Sequence, residues 1–334
     1  MSKSSLKIFA VACFALAFVA GARASTLKIA TLAPAGTSWM QEMQAGAELI
    51  EQRTDGRVKL KFYPGGVMGN DQSVHRKIKI GQLHGGAFTP SGLAGVDSSI
   101  QVLGLPMLFR NLDEVDYVRE RMDPVLKQEM SDSGFVILGI SEGGFARILS
   151  KQPMQDLESL RRGRVWVPEG DRISQVTFKA LGITPVSLPI ADVFTGLQTG
   201  LIDTVAVNPT SAIAFQWHTS TNFMTEVPIT YLIGVLAVSK QSFEQLSNDD
   251  QDILFEEMGK VFARMDVSSR SENEAALIAL ESQGISFVPA RPGEAERWRK
   301  IADGAIDEMV ASGLIDGTIV DRVRTYLQEF RSRQ

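Results

Sequence analysis

The chain has 334 residues, with 34 Lys and Arg against 39 Asp and Glu, three histidines and one cysteine. A net charge of −5 argues against nucleic acid and anionic lipid as partners, because both repel an acidic surface. A single cysteine, Cys13, leaves no internal disulfide and no thiolate metal centre, so the fold must rest on an apolar core.

At the N-terminus, Lys3 and Lys7 precede an apolar run from Ile8 to Ala20, followed by the small-x-small site Ala22-Arg23-Ala24. This pattern predicts a signal peptide over residues 1–24, cleaved after Ala24, and export to the periplasm. Cleavage would remove Lys3, Lys7, Arg23 and Cys13, leaving 31 basic and 39 acidic residues, a balance of −8. No later apolar run reaches the ~20 residues of a membrane span. The expectation is a water-soluble exported protein of about two domains.

TLKIATLAP reads as a first strand, with Leu27, Ile29 and Leu32 apolar and Pro34 ending it. Ser38 fits an N-cap, with Gln41 at the capping-box position and Met40, Met43, Ala47 and Ile50 at helical spacing. VKLKFYP alternates as a strand, GGVMGND turns, and DQSVHRKIKIGQL is a helix ending near Gly81. A short strand follows around Gly85 to Thr89. Such alternation predicts an α/β protein with a largely parallel sheet. After a helix ending near Ser133, GFVILGIS is an apolar strand and GFARILSKQPM a second extended piece, ended by Pro153.

Arg161 to Asn208 reads as strand, helix, short strand, helix, strand: a βαβ-like unit with its loops on one edge. TSAIAFQWHTSTNF then predicts a helix and TYLIGVLAVSKQSF contains a strand. From Ser247 to Gly284 the chain is helical in pattern for nearly forty residues, longer than most globular helices. It either breaks near Asp266 to Ser269 or links two lobes. ISFVP is a last strand and two helices close the chain.

Catalytic patterns are weak. Gly139-Ile140-Ser141-Glu142-Gly143 matches G-x-S-x-G after an apolar strand, which raises a serine hydrolase built on Ser141. A nucleophile elbow must turn directly into a helix, whereas the following residues read as extended chain. The only histidine downstream is His218, inside a predicted helix. His75, His84 and His218 have no metal-ligand spacing, and no Walker or dinucleotide fingerprint occurs. Asp249 and Asp250 read as helix-entry residues. These features point to a binding protein with no cofactor and no enzymatic activity.

YPGGVMGND, GLPMLF, GGFARILS, VWVPEGD, LPIADVFTGLQTGLIDTVAVNP and VLAVSKQSF occur in this order. The chain thereby resembles the dicarboxylate-binding, DctP-like solute-binding proteins of tripartite ATP-independent periplasmic (TRAP) transporters, over essentially the whole mature length. The resemblance implies a two-lobed clamshell with a crossed-over chain and a long helix spanning both lobes. The lobes would comprise residues 25–144 with 233–272, and 145–232 with 273–334. It further implies a monomer that binds a small organic acid and delivers it to small and large membrane subunits driven by an ion gradient.

Residues carry over one at a time. Arg147, in GGFARILSK, matches an arginine that the family places in a G-x-R-like strand; a structural salt bridge is the alternative. The family's commoner carboxylate-clamping arginine, in a G-x-K-x-R-V-P pattern, aligns with Trp166. Asn208 matches an asparagine before proline, with one extra residue between Asp203 and Asn208. The polar residue of the third strand falls near Thr89. An arginine fork gives two charge-assisted bonds to a carboxylate, whereas tryptophan offers one N–H and a π face. Two outcomes fit. Either Arg147 alone holds an acid group while Trp166 stacks on the ligand, or the ligand is neutral, aromatic or cationic. Trp39, Trp166 and Trp217, with Phe88, could build an aromatic pocket near Glu142 or Glu169. Glu169 and Asp171 also fit helix entry. A ligand-sensing subunit that feeds a receptor rather than a transporter is a third reading.

Overall fold

The computed structural model describes residues 24–333; the predicted signal peptide through residue 23 lies outside them. The first half contains β1 (Ser25–Thr31), α1 (Ser38–Arg53), β2 (Val58–Tyr63), α2 (Asp71–Lys79), β3 (Gly85–Phe88), α3 (Pro90–Leu93) and α4 (Leu112–Asp132). Thr37, not Ser38, caps α1, its Oγ1 accepting the Met40 N–H at 3.3 Å. That satisfies one of the four orphan donors of the first turn.

The expected strand GFVILGIS and the extended piece after it are one 16-residue strand, β4 (Phe135–Ser150). Then come α5 (Leu157–Arg162), β5 (Trp166–Pro168), α6 (Arg172–Ala180), β6 (Val186–Leu188), α7 (Val193–Thr199), β7 (Thr204–Val207), α8 (Pro209–Ala214), β8 (Phe223–Thr225) and β9 (Thr230–Ser239). The chain closes with α9 (Lys240–Phe243), α10 (Asn248–Ser282), β10 (Ser286–Val288), α11 (Glu294–Ala311) and α12 (Gly317–Arg331). A short 3₁₀ turn over Trp217–Ser220 replaces the second part of the helix expected after Asn208.

The main sheet runs β10-β8-β4-β9-β3-β1-β2, with β7 also paired to β4, and β5-β6 form a separate parallel pair. The sheet is mixed rather than largely parallel. β1 pairs in parallel with β2 and β3, but β9 is antiparallel to β3 and to β4. The physical reason is that β4 and β9 are long return strands. The first part of β4 pairs with β9 from Phe135↔Ser239 to Ala146↔Thr230, and its last residues pair with β7 and β8. Both strands therefore belong to two lobes.

The 35-residue helix α10 is unbroken and about 52 Å long. Its first half packs Leu254, Met258, Val261 and Phe262 into the core under β1 and α1. Its far end packs Leu277 and Leu280 with β7 and Trp217. It spans both lobes. Contact between α10 and β4 is close at Gly139, where a Cβ would lie 2.1 Å from the Phe262 ring.

The two-lobe division expected from sequence places residues 273–334 together, but the C-terminal helices do not stay on one side. Trp298 and Ala302 of α11 join the core around Ile148 and Phe178. Val320 and Val323 of α12 instead pack with Val115 and Met122 of α4. Arg331 seals that contact, donating to Glu114 at 2.7 and 2.9 Å. Between the lobes, Asn70 Nδ2 donates to Glu169 at 2.6 Å across the rim.

Candidate ligand-binding site

Between the lobes lies a cavity of about 430 Å³. Both lobes wall it: the loop after β1, the start of α1 and the end of β3 on one side; β5, the start of α6 and the β7–α8 junction on the other; and β4, β9 and α10 through the waist. This volume falls within the range of small-molecule pockets.

Of the seven residues singled out by sequence, five line it: Trp39, Thr89, Trp166, Asn208 and Trp217. Trp166 and Trp217 are buried and meet edge to face at 5.2 Å, and Phe215 stacks on Trp217 at 5.3 Å. The single donor of Trp166 is already used, Nε1 reaching the Leu188 carbonyl at 3.0 Å. Where an arginine would fork onto a carboxylate, this chain has a packed aromatic wall. Trp39 donates to Ser141 Oγ at 3.4 Å. Thr89 caps α3 and donates to Asp71 Oδ2 at 2.8 Å, and loss of solvation pushes the Asp71 carboxyl up to about 6.

Arg147 and Glu169 do not line the cavity. Successive strand residues face opposite ways, and β4 presents Ala146 to the cavity. The Arg147 guanidinium donates instead to the Glu226 carbonyl, and burial pushes it below the ordinary arginine range. Glu169 is tied to Asn70 at the rim.

The waist is held by α10. Asn273 donates to the Gly143 carbonyl at 3.2 Å and accepts from Thr210 Oγ1 at 2.9 Å, while Ser269 donates to the Glu142 carbonyl at 2.8 Å. Gly144 has φ +82°, and a Cβ there would sit 2.9 Å from Asn273; only glycine fits that position without strain. Asn208 Nδ2 donates to the same Gly143 carbonyl. Because a carbonyl can only accept, that bond fixes which end of the amide faces it. Asn208 Oδ1 is left buried with no partner.

Four carboxylates line the cavity, and no lysine, arginine or histidine does so among the described residues. Glu142 is bound by Arg270 at 2.9 Å and Glu42 by Arg264 at 3.0 Å. Arg270 is shared with Asp116, whose hydrogen bonds, with those of Glu142, hold its pKa above the arginine range. Glu272 accepts from Ser38 Oγ at 2.9 Å. Asp171 caps α6, accepting from Ser174 N at 3.1 Å and Ser174 Oγ at 2.6 Å. Loss of solvation pushes its carboxyl upward.

Gln101, Phe215, Glu272 and Asn273 also line the cavity, and sequence reasoning missed them. Only their opposition to the β4 crossover distinguishes Glu272 and Asn273, and one sequence does not display that opposition. Ser141 lies in the middle of β4 rather than at a strand-to-helix turn, and donates to the Gly234 carbonyl at 3.3 Å. It has no nucleophile-elbow geometry.

The family model for bacterial extracellular solute-binding protein, family 7, matches residues 29–312. The C4-dicarboxylate-binding periplasmic protein DctP of Rhodobacter capsulatus is 22% identical over 266 residues, covering 78% of this chain and 79% of that protein. The 2,3-diketo-L-gulonate-binding periplasmic protein YiaO of Escherichia coli K12 is 24% identical over 210 residues, 62% of this chain; the match spans 63% of that relative's length. Among solved structures, the sugar acid binding protein DctPAm from Advenella mimigardefordensis, in complex with galactonate, superposes with a TM-score of 0.84 at 21% identity. That match covers 92% of this chain and 99% of the other. A TRAP periplasmic solute binding protein from Xanthobacter autotrophicus with bound β-D-galacturonate gives 0.83 at 20% identity, covering 90% and 99%. With its matching fold and a cavity between its lobes, the chain belongs to the bacterial extracellular solute-binding proteins of family 7, the TRAP-type receptors.

Proposed function

We propose that this protein captures a small solute between its lobes outside the cytoplasm and delivers it to the small and large membrane subunits of an ion-gradient-driven TRAP transporter. The observation that carries this reading is the two-walled cavity in a family 7 chain. Export by the signal peptide cleaved after Ala24 and action as a monomer belong to the same proposal. Among the described residues, no helix is long and apolar enough to cross a membrane. We assign residues 25–144 and 233–272 to one lobe, and 145–232 with the rest of the chain to the other, except that α12 packs on the first.

The ligands of the relatives, galactonate, β-D-galacturonate and 2,3-diketo-L-gulonate, are sugar acids. They support a small organic acid as the first reading. The cavity wall favours a second, a neutral, aromatic or cationic solute, because no basic side chain among the described residues faces the space. A melting-temperature screen across both classes tests the proposal. A ligand at a hundredfold excess over its Kd should stabilise the protein by about 2.7 kcal/mol. If no small solute of either class shifts the transition, the receptor reading fails.

A further inference from the structure

We propose that the solute of this cavity is a small organic cation, an amine or nitrogen heterocycle, whose N–H group binds Asn208 Oδ1 and whose charge faces Glu272 and Asp171. The inference rests on the solute-receptor reading and names its ligand class.

Three independent observations lead here. The first is charge. A dry carboxylate needs a cation or several aligned donors, and the basic groups nearest the cavity are already engaged. Arg270 is held by Glu142 and Asp116, Arg264 by Glu42, and Arg147 by the Glu226 carbonyl. In contrast, Asp171 and Glu272 face the cavity with no lysine, arginine or histidine within ion-pair distance among the described residues. An acid entering this space would bring a further acidic group beside Asp171 and Glu272, neither of which has a basic partner among the described residues, whereas a cation would pair with one of them.

The second is the orphaned acceptor. Asn208 is 6% exposed, and among the described residues its Oδ1 has no hydrogen-bond partner. A buried carbonyl without a donor is left desolvated and unpaired, a penalty recovered when a ligand supplies the donor. A carboxylate has no donor to give; an ammonium or ring N–H does. The amide cannot simply turn over, because its Nδ2 is committed to Gly143. Gln101, 4% exposed on the same cavity, leaves Nε2 unpartnered. Its amide makes no other side-chain bond, so it can turn to serve a polar edge of the same ligand.

The third is the aromatic wall. Trp39, Phe215, Trp217 and Tyr231 line the space. A cation held against indole or phenol faces gains from the ring quadrupole, most strongly where water is excluded. The ring faces repel the charge of a carboxylate, which only ring edges or the Tyr231 hydroxyl would meet favourably.

The test uses matched pairs of probes on the mature protein: phenethylamine against phenylacetate, putrescine against succinate, and glucosamine against galacturonate. Melting temperature and calorimetric titration read the result. The amine of at least one pair should bind and its acid should not. Glu272→Gln keeps the acceptor for Ser38 and removes the charge; it should weaken amine binding by about tenfold, an effect of about 1.4 kcal/mol. Asp171→Asn provides a second such variant if the first fails to fold. Binding of acids alone overturns the cation assignment and leaves the receptor reading standing. Amine affinity unchanged in both variants also overturns it. If no probe of either series shifts a protein that melts cooperatively, both readings fail.

Discussion

Arg147 shows how far one residue of phase reaches. On β4 it lies one position from Ala146, and strand geometry gives the cavity to one of the two. The guanidinium is half-buried and donates to the Glu226 carbonyl, which supports a role in the fold. Arg147→Ala should therefore leave the Kd for any ligand found by the screen within about twofold while lowering unfolding free energy by about 1–2 kcal/mol. Titration and urea denaturation measure the two effects; lost binding in a protein of unchanged stability would return Arg147 to the site. Residue identities at the cavity were partly legible in the sequence. Trp166 and Asn208 sit in the motifs that carry the resemblance, and both line the cavity. Arg147 lies outside the lining because its neighbour Ala146 takes the cavity-facing position on β4, a phase that one sequence does not display. Glu272, Asn273 and Gln101 carry no local pattern, since their neighbours in space are distant in sequence.

At the scale of elements, β4 and α10 set the cavity. The long helix was legible from its unbroken helical periodicity, but whether it bends was not. It is continuous through Ser269 and Asn273, which bond to β4 and, at 2.9 Å from Asn273 Nδ2 to the Ser269 carbonyl, within α10 as well. The single sheet was less legible. Pairing of β4 with β9 joins residues about a hundred positions apart, and no local signal encodes that partner. The tightest point of the β4–α10 contact is Gly139. A methyl group there meets the Phe262 ring, and overpacking of this kind costs about 1–3 kcal/mol. Gly139→Ala should lower the urea midpoint accordingly, with the fold retained by circular dichroism. A midpoint equal to that of the parent would mean that the strand and helix are free to separate.

For the whole molecule, stability should depend on pH through Asp71. Its carboxyl is raised from 3.8 to about 6 by loss of solvation, against two bonds from Thr89. A raised acid is protonated more in the folded than in the unfolded chain. Its contribution is full below pH 3.8 and is lost as pH rises through about 6. The melting temperature of the parent relative to Asp71→Asn should thus fall between pH 4 and 6 and level off above 7. A constant difference across that window would show that Asp71 is hydrated in solution. The waist has a mechanical consequence. Three continuous hydrogen-bonded elements, β4, β9 and α10, cross it, so the lobes are joined by a flexure rather than a pin. Bending between Glu142 and Gly144 would be resisted by the bonds that the Glu142 and Gly143 carbonyls accept from Ser269, Asn273 and Asn208. A movement of the lobes would have to be shared by all three elements rather than taken up at one bond.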